Sequence, residues 1–185
     1  MTRQEFLKFA AALKTFYPRE QILPNDEAIA LWHRQLMDLP YETAVLVLNK
    51  WVATEKFSPT IADIRSAATE IEKPVPDWSE SWEKVMGAVR KFGMYRENEA
   101  LESLDDLTRE CVARMGFWEI CTSEKPAVER ANFRDIYMEL ANKKKSFDQM
   151  PIVMQNALEK AKQMAFGAGK ADALPEKSLG KTDAC

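Results

Sequence analysis

Apolar side chains recur every three or four residues through the first 72 residues, which is the spacing of amphipathic helices. Four helices are predicted there, and local signals mark their ends. Thr2 opens a capping-box sequence before the first helix, and Asn25 can cap the second. Pro40 separates the second helix from the third, and Thr60 opens another capping box before the fourth. The sequence therefore predicts a helical domain over residues 1–72.

The third of these segments, residues 41–52, is the most apolar of the four. Leu46 and Val47 make its middle apolar on nearly every side, so this helix is predicted to be the buried centre of the bundle. The turn FSPT, residues 57–60, then leads into the fourth helix. Its proline cannot easily continue the preceding helix, and Phe57 is expected to fold back onto the core as a hydrophobic staple.

The segment KPVPD, residues 73–77, predicts a linker, because two closely spaced prolines favour an extended chain. A second helical unit is predicted over residues 78–145. Residues 146–185 differ in kind: an amphipathic helix is predicted over residues 151–166, and the polar end that follows is predicted to be disordered. The expected fold is all-α, with two small helical bundles, a Pro-containing linker and a mobile C-terminal tail.

Composition and charge narrow the class of protein. The 185 residues suffice for one ordinary domain or two small ones. The formal net charge of -3, from 26 basic and 29 acidic residues, gives the whole molecule no attraction to nucleic acid or anionic lipid. No uninterrupted apolar run is long enough to span a membrane, and the N-terminus does not read as a secretory signal. We therefore expect a cytoplasmic protein without a membrane partner.

The residues that carry enzyme chemistry are scarce. His33 is the only histidine, and Cys111, Cys121 and Cys185 form no CxxC pair. The six glycines are scattered, so none makes a phosphate-binding loop before a helix. The sequence therefore predicts no catalytic residue, no cofactor, no metal site and no enzymatic activity.

The predicted tail helix is the most suggestive binding feature. It is rich in methionine and amphipathic, which is typical of a helix that docks its apolar face into a groove. Packing of this helix onto the chain's own second unit is the alternative, and it stays open. The residues proposed to contact a partner are Val153, Met154, Leu158, Met164 and Phe166.

Nucleic-acid binding has two candidate locations. Basic side chains of the last helix of the second unit could form a local patch for single strands, although a basic helix end at the surface also explains them. These side chains are Arg130, Arg134, Lys143, Lys144 and Lys145. The fourth helix could instead read duplex DNA as part of a helix-turn-helix, but its exposed side offers little positive charge beyond Arg65.

The segment LPNDEAIALWHRQLMDLPYETAVLVLNKWVATEKFSPTIADIR, residues 23–65, resembles the N-terminal domain of the phage loader/inhibitor family of the replicative helicase. The similarity rests on the helix of Trp32, the junction LPY at residues 39–41, the apolar helix up to Trp51 and the segment FSPTIADI at residues 57–64. It covers roughly residues 1–72.

The resemblance implies a helical domain in a protein that binds a hexameric replicative helicase, of the host or the phage, in a bacterial cell. It also implies an origin-binding protein and a single-strand-binding protein as further partners. In that family the flexible C-terminal part grips the helicase, and here the tail from about Met150 corresponds by position only. The unit at residues 78–145 has no counterpart, so the sequence leaves open which part makes the contact.

The predicted function is that of a non-enzymatic adaptor in phage or prophage DNA replication that loads or inhibits the helicase. The alternative is a replisome organiser that binds origin DNA through a helix-turn-helix-like N-terminal domain.

Overall fold

The computed structural model describes residues 1–168, with side chains described as far as residue 165. Within the described residues there are ten helices and no strand, which confirms the all-α prediction. The helices are α1 (Arg3–Phe16), α2 (Asp26–Leu36), α3 (Tyr41–Thr54), α4 (Ile61–Glu72), α5 (Trp78–Phe92), α6 (Glu97–Glu102), α7 (Asp106–Met115), α8 (Phe117–Thr122), α9 (Pro126–Asp148) and α10 (Ile152–Ala168). The predicted disordered end, residues 169–185, lies outside the described residues.

Three of the first four helices, α1, α2 and α4, begin at the predicted capping residues, and α3 begins directly after Pro40. The Thr2 hydroxyl accepts a hydrogen bond from the Glu5 amide, and the Glu5 carboxylate accepts one from the Thr2 amide at 2.7 Å. Thr60 and Asp63 form the same reciprocal pair at the start of α4. Asn25 caps α2 by accepting from the Ala28 amide at 2.8 Å. These bonds satisfy amides that have no partner inside the helix, so the local sequence alone sets the starts.

The first hydrophobic core lies among α1 to α4. Its largest buried side chains are Phe6, Phe9, Leu13, Leu36, Leu48 and Ile64. The helix α3 packs against both α1 and α4, but the prediction that it is buried as the centre of the bundle is wrong for its outer face. Val47 and Leu48 face the core, whereas Leu46 is 55% exposed.

The second core lies among α5 to α9. Its buried side chains include Trp82, Val85, Val112, Phe117, Phe133 and Tyr137. The Tyr137 hydroxyl lies 3.0 Å from the carbonyl of Pro76, to which it donates, and 3.1 Å from the Ser81 hydroxyl. The phenol therefore joins the predicted linker to α5 and α9 through satisfied hydrogen bonds.

Polar contacts join the end of α9 to α4, and so connect the two helical bundles. The helix α9 continues beyond the basic run to Asp148, so the tail begins later than the predicted residue 146. The guanidinium of Arg65, in α4, donates to the carbonyl of Gln149 just after α9. The side chain of Gln149 is 3.1 Å from the hydroxyl of Ser66. The helix α9, which packs in the second core, is therefore hydrogen-bonded at its end to a helix of the first bundle.

Two ion pairs flank this contact. Lys73 is 2.9 Å from the carboxylate of Asp148, and Lys145 is 2.7 Å from that of Glu70. Both lysines are more than a third exposed, so each pair contributes little by itself. Residues 1–151 form one compact unit that contains both cores, and the described residues from Ile152 onward belong to a second. The division into a domain of residues 1–72, a linker of residues 73–77 and a second domain of residues 78–145 stays a prediction.

Candidate partner interface

The predicted contact helix is α10, which the structure describes from Ile152 to Ala168. Val153 and Met164 are 76% and 75% exposed, and Met154 and Leu158 are also exposed. At about 100° per residue these four side chains fall within an arc of about 140°. Phe166 belongs to the same helix, but its side chain lies outside the described residues. The four described members therefore share one apolar strip, and partner binding by it stays a prediction.

The five basic residues proposed for single strands lie along α9, but the structure does not gather them. Arg130 and Lys143 are about 20 Å apart along the helix axis, at about 1.5 Å per residue. Each cation also has a partner: Arg130 lies over the Trp78 ring, Arg134 pairs with Asp135, Lys143 with Glu139, Lys144 with Asp148 and Lys145 with Glu70. Interleaved carboxylates reduce the local positive potential. Nucleic-acid binding at this patch stays a prediction.

Arg65 does not have the place that a duplex-reading α4 requires. Its side chain was predicted to lie on the exposed side of the helix, but the residue is only 5% exposed. Its guanidinium is held by the carboxylate of Asp38 at 2.8 and 2.9 Å and by the carbonyl of Gln35 at 2.7 Å. The exposed side chains that remain on α4 include Glu70 and Glu72, which repel phosphate.

The turn between α3 and α4 has a geometry that the sequence analysis does not anticipate. Phe57 does not fold onto the core, since its side chain is 76% exposed. The indole N–H of Trp51 donates to the Phe57 carbonyl at 2.9 Å. The carboxylate of Glu20 accepts from the amide of Ser58 at 3.2 Å and from its hydroxyl. With Pro59 buried and these three hydrogen bonds in place, the Phe57 ring is directed away from the core.

A cleft of about 450 Å³ lies beside this turn. Its lining residues are Phe16, Tyr17, Pro18, Arg19, Glu20, Lys56 and Phe57. Phe16 is 46% exposed, so two aromatic side chains of the cleft face solvent. This surface could not be predicted while Phe57 was expected to pack onto the core. No contiguous sequence signal points to it, because the anchor Glu20 and its partner Ser58 are 38 positions apart.

The two cysteines and the histidine among the described residues lie in packed surroundings. Cys111 is fully buried in the second core, and burial raises the pKa of its thiol to about 12. Burial also raises the pKa of the Cys121 thiol. The His33 ring lies 5.3 Å from the Phe6 ring. Among the described residues, no group of histidine, cysteine and acidic side chains has the arrangement of a metal site. The helices, as far as they are described, include none with the length and apolarity of a membrane span.

Comparison with known protein families matches residues 1–65 of the 185 to the N-terminal domain of the gp39 family of phage helicase loader/inhibitor proteins. The match confirms the resemblance of this segment to the phage loader/inhibitor family. It contains α1 to α3, the Phe57 turn and the beginning of α4 up to Arg65. No curated protein and no solved structure matches the chain.

Proposed function

From the gp39-type N-terminal domain at residues 1–65, we propose that this chain is a non-enzymatic adaptor in phage or prophage DNA replication. Its partner in this proposal is a hexameric replicative helicase, which it loads onto DNA or holds inactive. The family match is the observation that carries the proposal. An origin-binding protein and a single-strand-binding protein are the further partners expected of a loader, and the bacterial cytoplasm is where such a complex would form.

The helix α10 is proposed as the helicase contact. Its apolar strip includes Val153 and Met164, each about three-quarters exposed. Exposed apolar side chains on one face of a helix are the usual means by which a helix docks into a groove of another protein. Methionine side chains adapt to irregular surfaces, so Met154 and Met164 suit a groove that changes shape as the helicase ring opens.

The adaptor would act by preferring one state of the helicase. A protein that binds the free or opened ring more tightly than the DNA-engaged ring shifts the population towards the loadable form. The shift is limited by the ratio of the two affinities, and about 10⁴-fold is needed to reverse a 1:99 equilibrium. Loading and inhibition differ in this scheme only by whether the ring reaches DNA before the adaptor leaves.

The rival function, origin-DNA binding through α4, has less support from the geometry. Arg65 is buried against Asp38 and therefore cannot reach a phosphate without breaking that pair. The basic side chains of α9 are paired as well, which weakens a single-strand role.

The test is light scattering during gel filtration of the full chain mixed with the hexameric helicase of its host, at low and high salt and with or without ATP. We expect a defined complex that tolerates salt. Val153→Glu and Met164→Glu should each weaken it, because they place a charge on the apolar strip. Gln163→Glu is the matched control, since it adds the same charge to an exposed position on the polar side of α10.

The opposite result would be the absence of a complex with host or phage helicase together with salt-sensitive binding to origin DNA. That outcome would replace the adaptor with the replisome organiser, because phosphate contacts make binding fall steeply with salt.

A further inference from the structure

We propose that the cleft between Phe16 and Phe57 is a second docking surface, which binds an acidic segment of a partner protein by receiving one bulky apolar side chain. The cleft measures about 450 Å³ and is lined on one side by residues 16–20 and on the other by Lys56 and Phe57. This volume suits a single large side chain with part of its backbone. The proposal does not depend on α10 or on the identity of the helicase.

Two of the three aromatic side chains that line the cleft are exposed, whereas Tyr17 is buried in the first core. Phe57 is 76% exposed, and Phe16, at the end of α1, is 46% exposed. Aromatic anchors of this kind dominate binding energy at protein interfaces when they are fully desolvated. A partner side chain that enters the cleft would cover both rings.

Hydrogen bonds within the chain fix the turn that carries Phe57. Trp51 donates to the carbonyl of Phe57, and Ser58 donates through both its amide and its hydroxyl to Glu20. One of these anchors belongs to α3 and the other to the segment after α1. A preorganised backbone loses little entropy on binding, which favours recognition of a short segment.

The charges at the rim favour carboxylates. Arg19 and Lys56 line the cleft and are exposed, and neither forms an ion pair with any carboxylate in residues 1–165. The lysines of the α9 run differ in this respect, since all three are paired. The nearby Glu20 already accepts two hydrogen bonds from Ser58. Carboxylates that flank an inserted apolar side chain would thus meet two cations that lack a carboxylate partner.

Two other occupants fit this geometry less well. A single strand of nucleic acid needs a positive groove that follows several phosphates, whereas only two cations line this cleft and the acidic Glu20 lines it with them. A second copy of the chain, bound through the same cleft by a two-fold contact, would bring the cations of both copies together. An acidic segment needs no long positive groove, and it brings carboxylates and not further cations to the cleft.

The test uses the full chain and fluorescence anisotropy of a labelled peptide whose central Phe-Leu pair is flanked on both sides by alternating Glu and Asp. We expect binding that weakens with salt. Replacing the central pair by Ser-Ser, or the acidic residues by Lys, should remove it. Phe57→Ala and Lys56→Glu should each weaken binding by at least about ten-fold.

Two control variants change equivalent side chains outside the cleft. Leu46→Ala truncates another exposed apolar residue of the first bundle, and Lys8→Glu reverses another exposed lysine. Both should bind the peptide as the unaltered chain does. Trp51→Phe keeps a ring but removes the hydrogen bond to the Phe57 carbonyl, so it should weaken binding while Phe57 itself is intact. Thermal unfolding by circular dichroism verifies that each variant is folded.

The proposal is overturned if the acidic peptide does not bind, or if Phe57→Ala and Lys56→Glu bind it as well as the controls do. Displacement of the peptide by a labelled oligo-dT strand, with loss of strand binding in Phe57→Ala, would assign the cleft to nucleic acid instead. Concentration-dependent dimerisation that Phe57→Ala abolishes would assign it to a second copy of the chain.

Discussion

Arg65 and Asp38 form a bidentate ion pair, with the two guanidinium nitrogens 2.8 and 2.9 Å from the two carboxylate oxygens. Their side chains are only 6% and 16% exposed. The same guanidinium donates to the carbonyls of Gln35 and Gln149, so one side chain joins the end of α2, α4 and the end of α9. The buried charge is tolerated because the Nε, Nη1 and Nη2 atoms of Arg65 all donate hydrogen bonds to oxygens.

Breaking this pair is expected to be costly. Arg65→Ala or Asp38→Ala should lower the free energy of unfolding by about 3–5 kcal/mol, because each leaves the opposite charge buried without its partner. Urea unfolding followed by circular dichroism measures the change. Lys84→Ala is the control, since its pair with Asp105 is exposed and is worth less than about 1 kcal/mol. Equal changes in the free energy of unfolding for the two kinds of variant would show that the Arg65–Asp38 pair does not behave as a buried ion pair.

The two faces of α3 should differ sharply in their response to truncation. Leu48→Ala removes a side chain that is 2% exposed and should cost about 2–5 kcal/mol of stability. Leu46→Ala removes a side chain of the same size that is 55% exposed, and should change stability by less than about 0.5 kcal/mol. Denaturant midpoints of both variants check the prediction. A large effect of Leu46→Ala alone would reverse the assignment of the buried face.

The position of the C-terminal truncation should decide whether the fold survives it. A chain that ends at Pro151 keeps Asp148 and Gln149, so it should melt close to the full chain while losing helicase binding. A chain that ends at Phe147 loses the bonds from Arg65 to Gln149 and from Lys73 to Asp148, and it should melt at a lower temperature. Melting curves and gel filtration with the helicase compare the two. Unfolding of the chain that ends at Pro151 would show that later residues are needed for the fold.

Cys111 should make stability fall at high pH. Burial raises the pKa of its folded thiol to about 12, from a usual value near 9.0. Between these values the unfolded chain releases the thiol proton and the folded chain keeps it, so the unfolded state binds fewer protons and stability decreases as pH rises. Urea unfolding from pH 8 to 11 should show a smaller decrease in Cys111→Ala than in the unaltered chain. Parallel curves for the two proteins would contradict the buried-thiol assignment.

The same thiol should resist alkylation in the folded chain. At pH 8 a thiol with a pKa of about 12 is ionised in only about one molecule in 10⁴, and the thiolate is the reactive form. Iodoacetamide treatment followed by peptide mass analysis should therefore modify Cys111 only when urea is added. Rapid modification without urea would mean that the second core opens readily.

The local sequence determined the existence, type and starts of the N-terminal helices. Thr2 and Thr60 each bind a residue only three positions away, so the capping signals act without help from distant parts of the chain. The 3.6-residue apolar period likewise depends only on neighbouring positions, and it predicted the all-α fold and both cores. The matched segment of residues 1–65 was found for the same reason, since its motifs are contiguous.

Tertiary structure decided the direction of Phe57, the burial of Arg65 and the place where α9 ends. The partners responsible are far away along the chain: Glu20 holds Ser58 across 38 positions, and Gln149 accepts from Arg65 across 84. Periodicity assigns an apolar side chain to the core and a charged one to the surface, which is the lower-energy choice when no specific partner is known. Folding can reverse that choice by bringing a specific partner close. Hydrogen bonds to carbonyl and carboxylate oxygens offset the cost of burying the charge of Arg65. Hydrogen bonds to the backbone of the turn hold the Phe57 ring outward.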